Sequence, residues 1–159
     1  MAKQRKTTAQ NPKPQAKQAQ SMAGAPLPDR DTALALYRQM LTIRRCEEQL
    51  ARSYQAGLIP GACHTYVGEE AIATGVCAHL RDDDAVFSTH RGHGHCLAKG
   101  GQLDRMMAEI MGKEAGYCRG KGGSMHIADM SVGILGANGI VGGGFGICTG
   151  AGLSAKLRG

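Results

Sequence analysis

Residues 85–96 read Ala85-Val86-Phe87-Ser88-Thr89-His90-Arg91-Gly92-His93-Gly94-His95-Cys96, an apolar run that gives way at once to imidazoles, a guanidinium and glycines. The first four residues read as a short buried strand, because a brief β-branched and aromatic run bounded by polar residues fits a strand better than a helix. In an α/β fold ligands gather beyond the C-terminal ends of strands, where Thr89–Cys96 would lie. Arg91 offers several donors in a fixed fork, so with the flexible glycines this loop suits an anion such as phosphate. A metal site built on His90, His93, His95 and Cys96 is a competing reading, although Arg91 in its midst would repel a cation, and a loop without chemistry is the third.

Upstream, Asp29 or Asp31 can cap a helix running to Gln55, with Leu34, Tyr37, Met40, Leu41, Leu50 and Tyr54 at helical spacing and Gly57 as its stop. Arg44 and Arg45 beside Glu47 and Glu48 form a solvated or interface pattern. After the Pro60-Gly61 turn, a second helix is expected from about Glu69 to Leu80, with Glu69 and Glu70 at its positive dipole end. A third, Gln102–Met111, places Leu103, Met106, Met107 and Ile110 on one apolar face that belongs to a core. From Gly92 to Gly159 there are 19 glycines in 68 residues, a density that weakens regular structure and permits close backbone approach. A small-residue helix over about Gly142–Lys156 completes the pattern. One convincing strand among helices points to an α/β architecture, short of a full doubly wound sheet.

The 159 residues suffice for one domain. Of the net charge of +6, five charges sit in residues 1–28, on Lys3, Arg5, Lys6, Lys13 and Lys17 with no acid between them. This Gln-rich stretch buries too little apolar surface to offset its ordering entropy, so a disordered basic tail is expected over 1–28 and a folded body over 29–159. The body therefore lacks the clustered basic face that nucleic acid requires. The tail is too poor in Ser and Arg for a typical organellar transit peptide. Six cysteines without a CxxC pair or a secretory signal read as reduced cytoplasmic thiols, and no window is apolar enough for a membrane span.

Two glycine motifs fail on inspection. Gly116–His126 holds Gly-Lys but breaks the phosphate-loop register, since Gly122 follows Lys121 where Ser or Thr is required. Gly136–Gly146 fits a dinucleotide pattern only by force, for no clear strand precedes it.

Read in order, LYRQMLTIRRCEEQL, GACHTYVGEEAI, FSTHRGHGHCLAKG, MMAEIMGKEAGYCRGKGGSMH and GANGIVGGGFGICTGAGLSAKLRG resemble the alpha subunits of thiamine-diphosphate-dependent dehydrogenases. That family includes the first components of pyruvate, branched-chain 2-oxo acid and acetoin dehydrogenases, and the resemblance covers about residues 33–159. It implies the N-terminal part of a parallel-sheet, thiamine-diphosphate-binding domain with flanking helices. It implies a catalytic role for His64, near the reacting end of the cofactor, and for His93, which matches a histidine of the His-Arg loop. His90 and Arg91 match a Tyr-Arg pair that contacts the diphosphate, with His here in place of the more frequent Tyr. Gly139 and Val141 match positions whose main chain holds the aminopyrimidine ring, and Lys121, Ser124 and His126 match a signature that orders the adjoining loop.

By the same resemblance, a beta subunit in an α2β2 assembly completes the active site, and a lipoyl-bearing acyltransferase takes the acyl group from a small-molecule substrate. The THRGHGH and GANGIVGGGFGI forms lean toward acetoin over pyruvate. The family's magnesium ligands, a Gly-Asp-Gly motif and a later Asn, are absent. They would follow Gly159, so no metal-binding residue is assigned, and a truncated chain without activity of its own is expected.

Overall fold

The computed structural model describes residues 26–159. The expected basic tail lies outside the described residues for positions 1–25, and residues 26–29 lead into the first helix without regular structure. Helix α1 spans Arg30–Gln55. Asp29 caps it by accepting hydrogen bonds from the Asp31 and Thr32 N–H groups, which satisfies two donors that a helix start leaves free. Its end is set by Gly57, whose φ of +73° no helix can continue.

The buried face of α1 differs from the apolar stripe in the sequence. Ile43, Cys46, Glu47, Leu50 and Ser53 face inward, while Leu34, Tyr37, Leu41 and Tyr54 remain exposed. Apolar spacing there marks a surface face, and Leu50 is the one stripe residue at the centre of the core.

Helix α2 (Glu70–Cys77) and the short α3 (His93–Ala98) both pack against α1 and against each other. Helix α4 (Leu103–Ile110) adds Met106 and Ile110 to a core that includes Ile43, Leu50, Tyr66, Cys96 and Ile127. Each such side chain, fully withdrawn from water, contributes on the order of 1.5–3 kcal/mol.

Strand β1 (Val86–Ser88) pairs in parallel with β2 (Ile134–Ala137), in register Phe87 with Gly136 and Ser88 with Ala137. The fold is thus α/β, a small parallel sheet with flanking helices. Two elements depart from the sequence expectation. The imidazole-rich stretch from His93 is a helix, and β2 is a second strand, short and built of Ile134-Leu135-Gly136-Ala137, whose small residues hid it. Helix α5 (Gly144–Arg158) follows β2 through a glycine turn and touches β1, with none of its residues fully buried. Among the described residues no helix is long and apolar enough to cross a membrane.

Candidate active site at the end of the first strand

Ser88 ends β1, and the turn Thr89-His90-Arg91-Gly92 carries the chain into α3. Across from this turn lies the segment Cys63–Tyr66, which enters α2. The two meet at an imidazole pair. The rings of His64 and His90 stand edge to face, with centroids 5.2 Å apart and planes at 89°. The Nδ1 atoms of both rings are buried and have no hydrogen-bond partner among the described residues. Buried polar atoms are nearly always satisfied, so two orphans in one spot single out this junction as a candidate site. Beside them the Arg91 guanidinium, about one-third exposed, donates to the Thr65 carbonyl and places its Nε 3.9 Å from Glu69. Arg91 therefore ties the His64 segment to its own turn and still presents charge to solvent.

Beneath this surface run two chains of hydrogen bonds, the first buried and the second partly buried. In the first, the fully buried Glu47 accepts the Tyr66 N–H on Oε2 at 3.0 Å and pairs through Oε1 with His93 Nδ1 at 2.9 Å. His93 Nε2 in turn lies 2.9 Å from the Ser124 hydroxyl and 3.1 Å from its carbonyl. In the second, His95 joins Ser88 Oγ through Nδ1 at 2.7 Å and the Tyr66 hydroxyl through Nε2 at 3.2 Å. Burial pushes the His95 imidazole below its ordinary value, and burial also pushes the Tyr66 phenol up to about 12. Gly94 makes the second chain possible. A Cβ there would lie 2.2 Å from Tyr66 Cδ1, so only glycine lets the ring settle against α3.

These contacts overturn the metal reading of His90, His93, His95 and Cys96. Both ring nitrogens of His93 and of His95 are taken by protein groups that point them apart. The Cys96 thiol is fully buried, and burial pushes it up to about 12, far from the thiolate that a metal binds. Among the described residues no group of three or more His, Cys, Asp or Glu could hold a metal ion.

The glycine loop after α4 forms a further wall, and a second buried carboxylate holds it. Glu109 Oε2 accepts the Cys118 and Gly120 N–H groups at 2.7 and 2.8 Å, and Oε1 accepts those of Gly122 and Gly123 at 2.7 and 3.1 Å. Such a cradle needs successive residues with unusual backbone angles. Arg119 (φ +56°) is the one non-glycine with positive φ among the described residues, and Gly120 (φ +72°) follows it directly. The loop carries Met125 and His126 up to Gly139, where a Cβ would lie 3.5 Å from His126 Cε1 and Met125 Sδ. The Asn138 N–H donates to the Ser88 carbonyl at 3.2 Å, which binds the end of β2 to the end of β1.

His64, His90 and Arg91 are thus brought together, and Gly139 adjoins their turn through β2. Val141 stands beyond it, 80% exposed. His93 lies below the others, fully buried. Sequence reasoning missed Glu47 and Glu109, and it took Glu47 for part of a solvated or interface pattern. Only Arg45–Glu48 fits that description, since Arg44 pairs with Glu70 at 2.6 Å. A signal did exist. Glu47 stands between Ile43 and Leu50, and Glu109 between Met106 and Ile110, each a carboxylate at a helix position where the apolar face demands burial.

The family described as Dehydrogenase E1 component matches residues 38–159 of this chain. The alpha subunit of acetoin:2,6-dichlorophenolindophenol oxidoreductase from Bacillus subtilis is 59% identical over 128 residues, 80% of this chain and 38% of the relative. The subunit of the same name from Cupriavidus necator is 54% identical over 144 residues, 91% of this chain and 43% of the relative. The pyruvate dehydrogenase E1 component subunit alpha of Zymomonas mobilis is 44% identical over 131 residues, 82% of this chain and 37% of the relative. The chain spans about two fifths of the length of these relatives.

Proposed function

The chain belongs to the dehydrogenase E1 component family, and from that premise we propose that it is part of the alpha subunit of a thiamine-diphosphate-dependent dehydrogenase. The substrate is acetoin or a 2-oxo acid such as pyruvate. The enzyme cleaves the bond next to the carbonyl and passes the acyl group to a lipoyl-bearing acyltransferase. Acetoin is favoured by the THRGHGH and GANGIVGGGFGI forms and by the higher identity to the two acetoin-named relatives. A beta subunit, in an α2β2 assembly, supplies the other half of the site, so these 159 residues alone are expected to be inactive. The setting is the cytoplasm, in keeping with six free cysteines.

The observation that carries the reading is the His64–His90 pair, two buried and unpartnered Nδ1 atoms beside the Arg91 guanidinium at the end of a parallel strand. An aromatic, anionic cofactor fits that set of groups. His90 and Arg91 would hold the diphosphate, and the main chain at Gly139 and Val141 would hold the aminopyrimidine ring. The cofactor, when bound, supplies the carbanion chemistry. The chain's own groups supply position and protons. His64 holds or passes a proton at Nδ1 toward the substrate oxygen. Arg91 keeps that imidazole in place through Thr65. His93 contributes from below, by positioning. Magnesium is expected with the diphosphate, and no residue of this chain is assigned to it.

The test is His64→Ala in the full-length protein assembled with its beta subunit. Acid–base assistance by one side chain is worth roughly 10²–10⁴ in rate. Cofactor-dependent turnover of acetoin and of pyruvate, read with a dye acceptor, should fall by that order for the true substrate. Wild-type turnover in the variant would refute the assignment.

A further inference from the structure

Three segments carry the residues of the proposed site; one carboxylate bonds directly to two of them and reaches the third through His93 and Ser124. Glu47 Oε2 accepts the Tyr66 N–H, two residues beyond His64. Glu47 Oε1 holds His93, two residues beyond Arg91. Through His93 the same carboxylate reaches Ser124, next to the Met125-His126 pair against which Gly139 rests. Glu47, His93 and Ser124 are all buried, so water cannot substitute for any of these contacts. We infer that Glu47 is the positioning residue of the site, setting His64, the His90-Arg91 turn and the Gly139 wall at their mutual distances through Tyr66 and the His93–Ser124 link. The inference rests on the proposed function for its ligand, while its geometry stands apart from it.

The protons define how to break the device without unfolding the chain. A carboxylate at Glu47 offers only acceptors, and opposite it a neutral His93 ring carries its proton on Nδ1 while the Ser124 hydroxyl donates to Nε2. In Glu47→Gln the amide oxygen stays on the Tyr66 N–H, and the NH2 group faces His93 Nδ1. The ring must then carry its proton on Nε2, where the Ser124 carbonyl at 3.1 Å accepts it. Ser124 therefore serves either tautomer, and the variant keeps a full set of hydrogen bonds in a shifted arrangement.

The experiment uses the full-length protein with 15N-labelled histidine, and it reads three things for wild type, Glu47→Gln and Ser124→Ala. These are the His93 tautomer, the ring-current-shifted signals of the edge-to-face His64 and His90, and the affinity for thiamine diphosphate with magnesium. For Glu47→Gln the expected result is an inverted His93 tautomer, displaced His64 and His90 signals, and affinity lower by about tenfold, the scale typical of supporting contacts around a site. The unfolding temperature should stay close to wild type. A merely structural loss would instead lower the active fraction and leave the affinity of the folded molecules unchanged. A folded Glu47→Gln with unmoved His64 and His90 signals and wild-type affinity would overturn the inference. If Glu47→Gln does not fold, Ser124→Ala decides. With Glu47 still on His93 Nδ1 the tautomer stays as in wild type. Smaller displacements of the His64 and His90 signals and a smaller loss of affinity are expected, and the absence of both overturns the inference. If wild type fails to bind the cofactor while the histidine signals move, the proposed function falls and the positioning role of Glu47 stands.

Discussion

Glu109→Gln exchanges one carboxylate oxygen for an NH2 group in a pocket that offers only donors. Whichever way the amide turns, its NH2 meets two backbone N–H groups, those of Cys118 and Gly120 or those of Gly122 and Gly123. Two charge-assisted hydrogen bonds are lost at about 1.5–3 kcal/mol each, or about 3–6 kcal/mol together. The remaining two weaken as well, because the acceptor is now neutral. Against a total stability of about 5–15 kcal/mol this is a large share. The assay is urea unfolding of the full-length protein, followed by circular dichroism. With a slope of about 1–3 kcal/mol/M the midpoint should fall by at least about 1 M. The control is Glu114→Gln, whose residue is exposed and whose effect should stay within about 0.5 kcal/mol. If the two variants unfold at the same urea concentration, the carboxylate does not hold the glycine loop.

Two further perturbations address the packing of α3 and the start of α2. Gly94→Ala forces a methyl group to within 2.2 Å of Tyr66 Cδ1 with no free space behind the ring, since Tyr66 is 1% exposed. Overpacking of this kind costs about 1–3 kcal/mol, so a lower unfolding temperature is expected together with loss of the Tyr66–His95 contact. Glu70 gives the pH dependence. The Arg44 guanidinium, by its hydrogen bond, holds the Glu70 carboxyl at about 2 against an ordinary 4.5, helped by the Gly68 N–H. The folded state thus binds this proton less readily than the unfolded chain. The resulting stability is complete above 4.5 and drains away as pH falls from there toward about 2. Glu70→Gln should remove that part of the slope, which urea midpoints measured above and within this window will show.

What could be read in advance and what could not divide along physical lines. The Asp29 cap, the Gly57 stop and the Met-bearing α4 were legible because each is a local preference of neighbouring residues. The α/β class followed from one apolar run at Val86–Ser88. By contrast, β2 is Ile134-Leu135-Gly136-Ala137, too short and too small to announce itself, and it exists because Phe87 and Ser88 pair with it. Helix α3 was hidden by its histidines, which read as loop chemistry and turn out to be half scaffold. His64 and the His90-Arg91 pair came from motif resemblance, while Glu47 and Glu109 had no motif. A buried carboxylate is meaningful only through partners that are distant in the chain, such as the His93 ring and the amides of Cys118–Gly123.

The parallel pairing of β1 with β2 also sets a schedule. Parallel strands cannot be joined by a tight turn, and between Ser88 and Ile134 lie α3, α4 and the whole Glu109-bound loop. Closing so long a stretch is a non-local event, and such events slow folding because the entropy of closure is spent before the contacts form. On the ribosome, at roughly 5–20 residues per second, β1 emerges seconds before its only described partner strand. During that interval the Val86–Ser88 edge is unpaired, and the His90–His64 junction above it has no floor. The site is therefore among the last parts of this chain to acquire its shape, and a chaperone that shields one short apolar strand would raise the yield of folded protein.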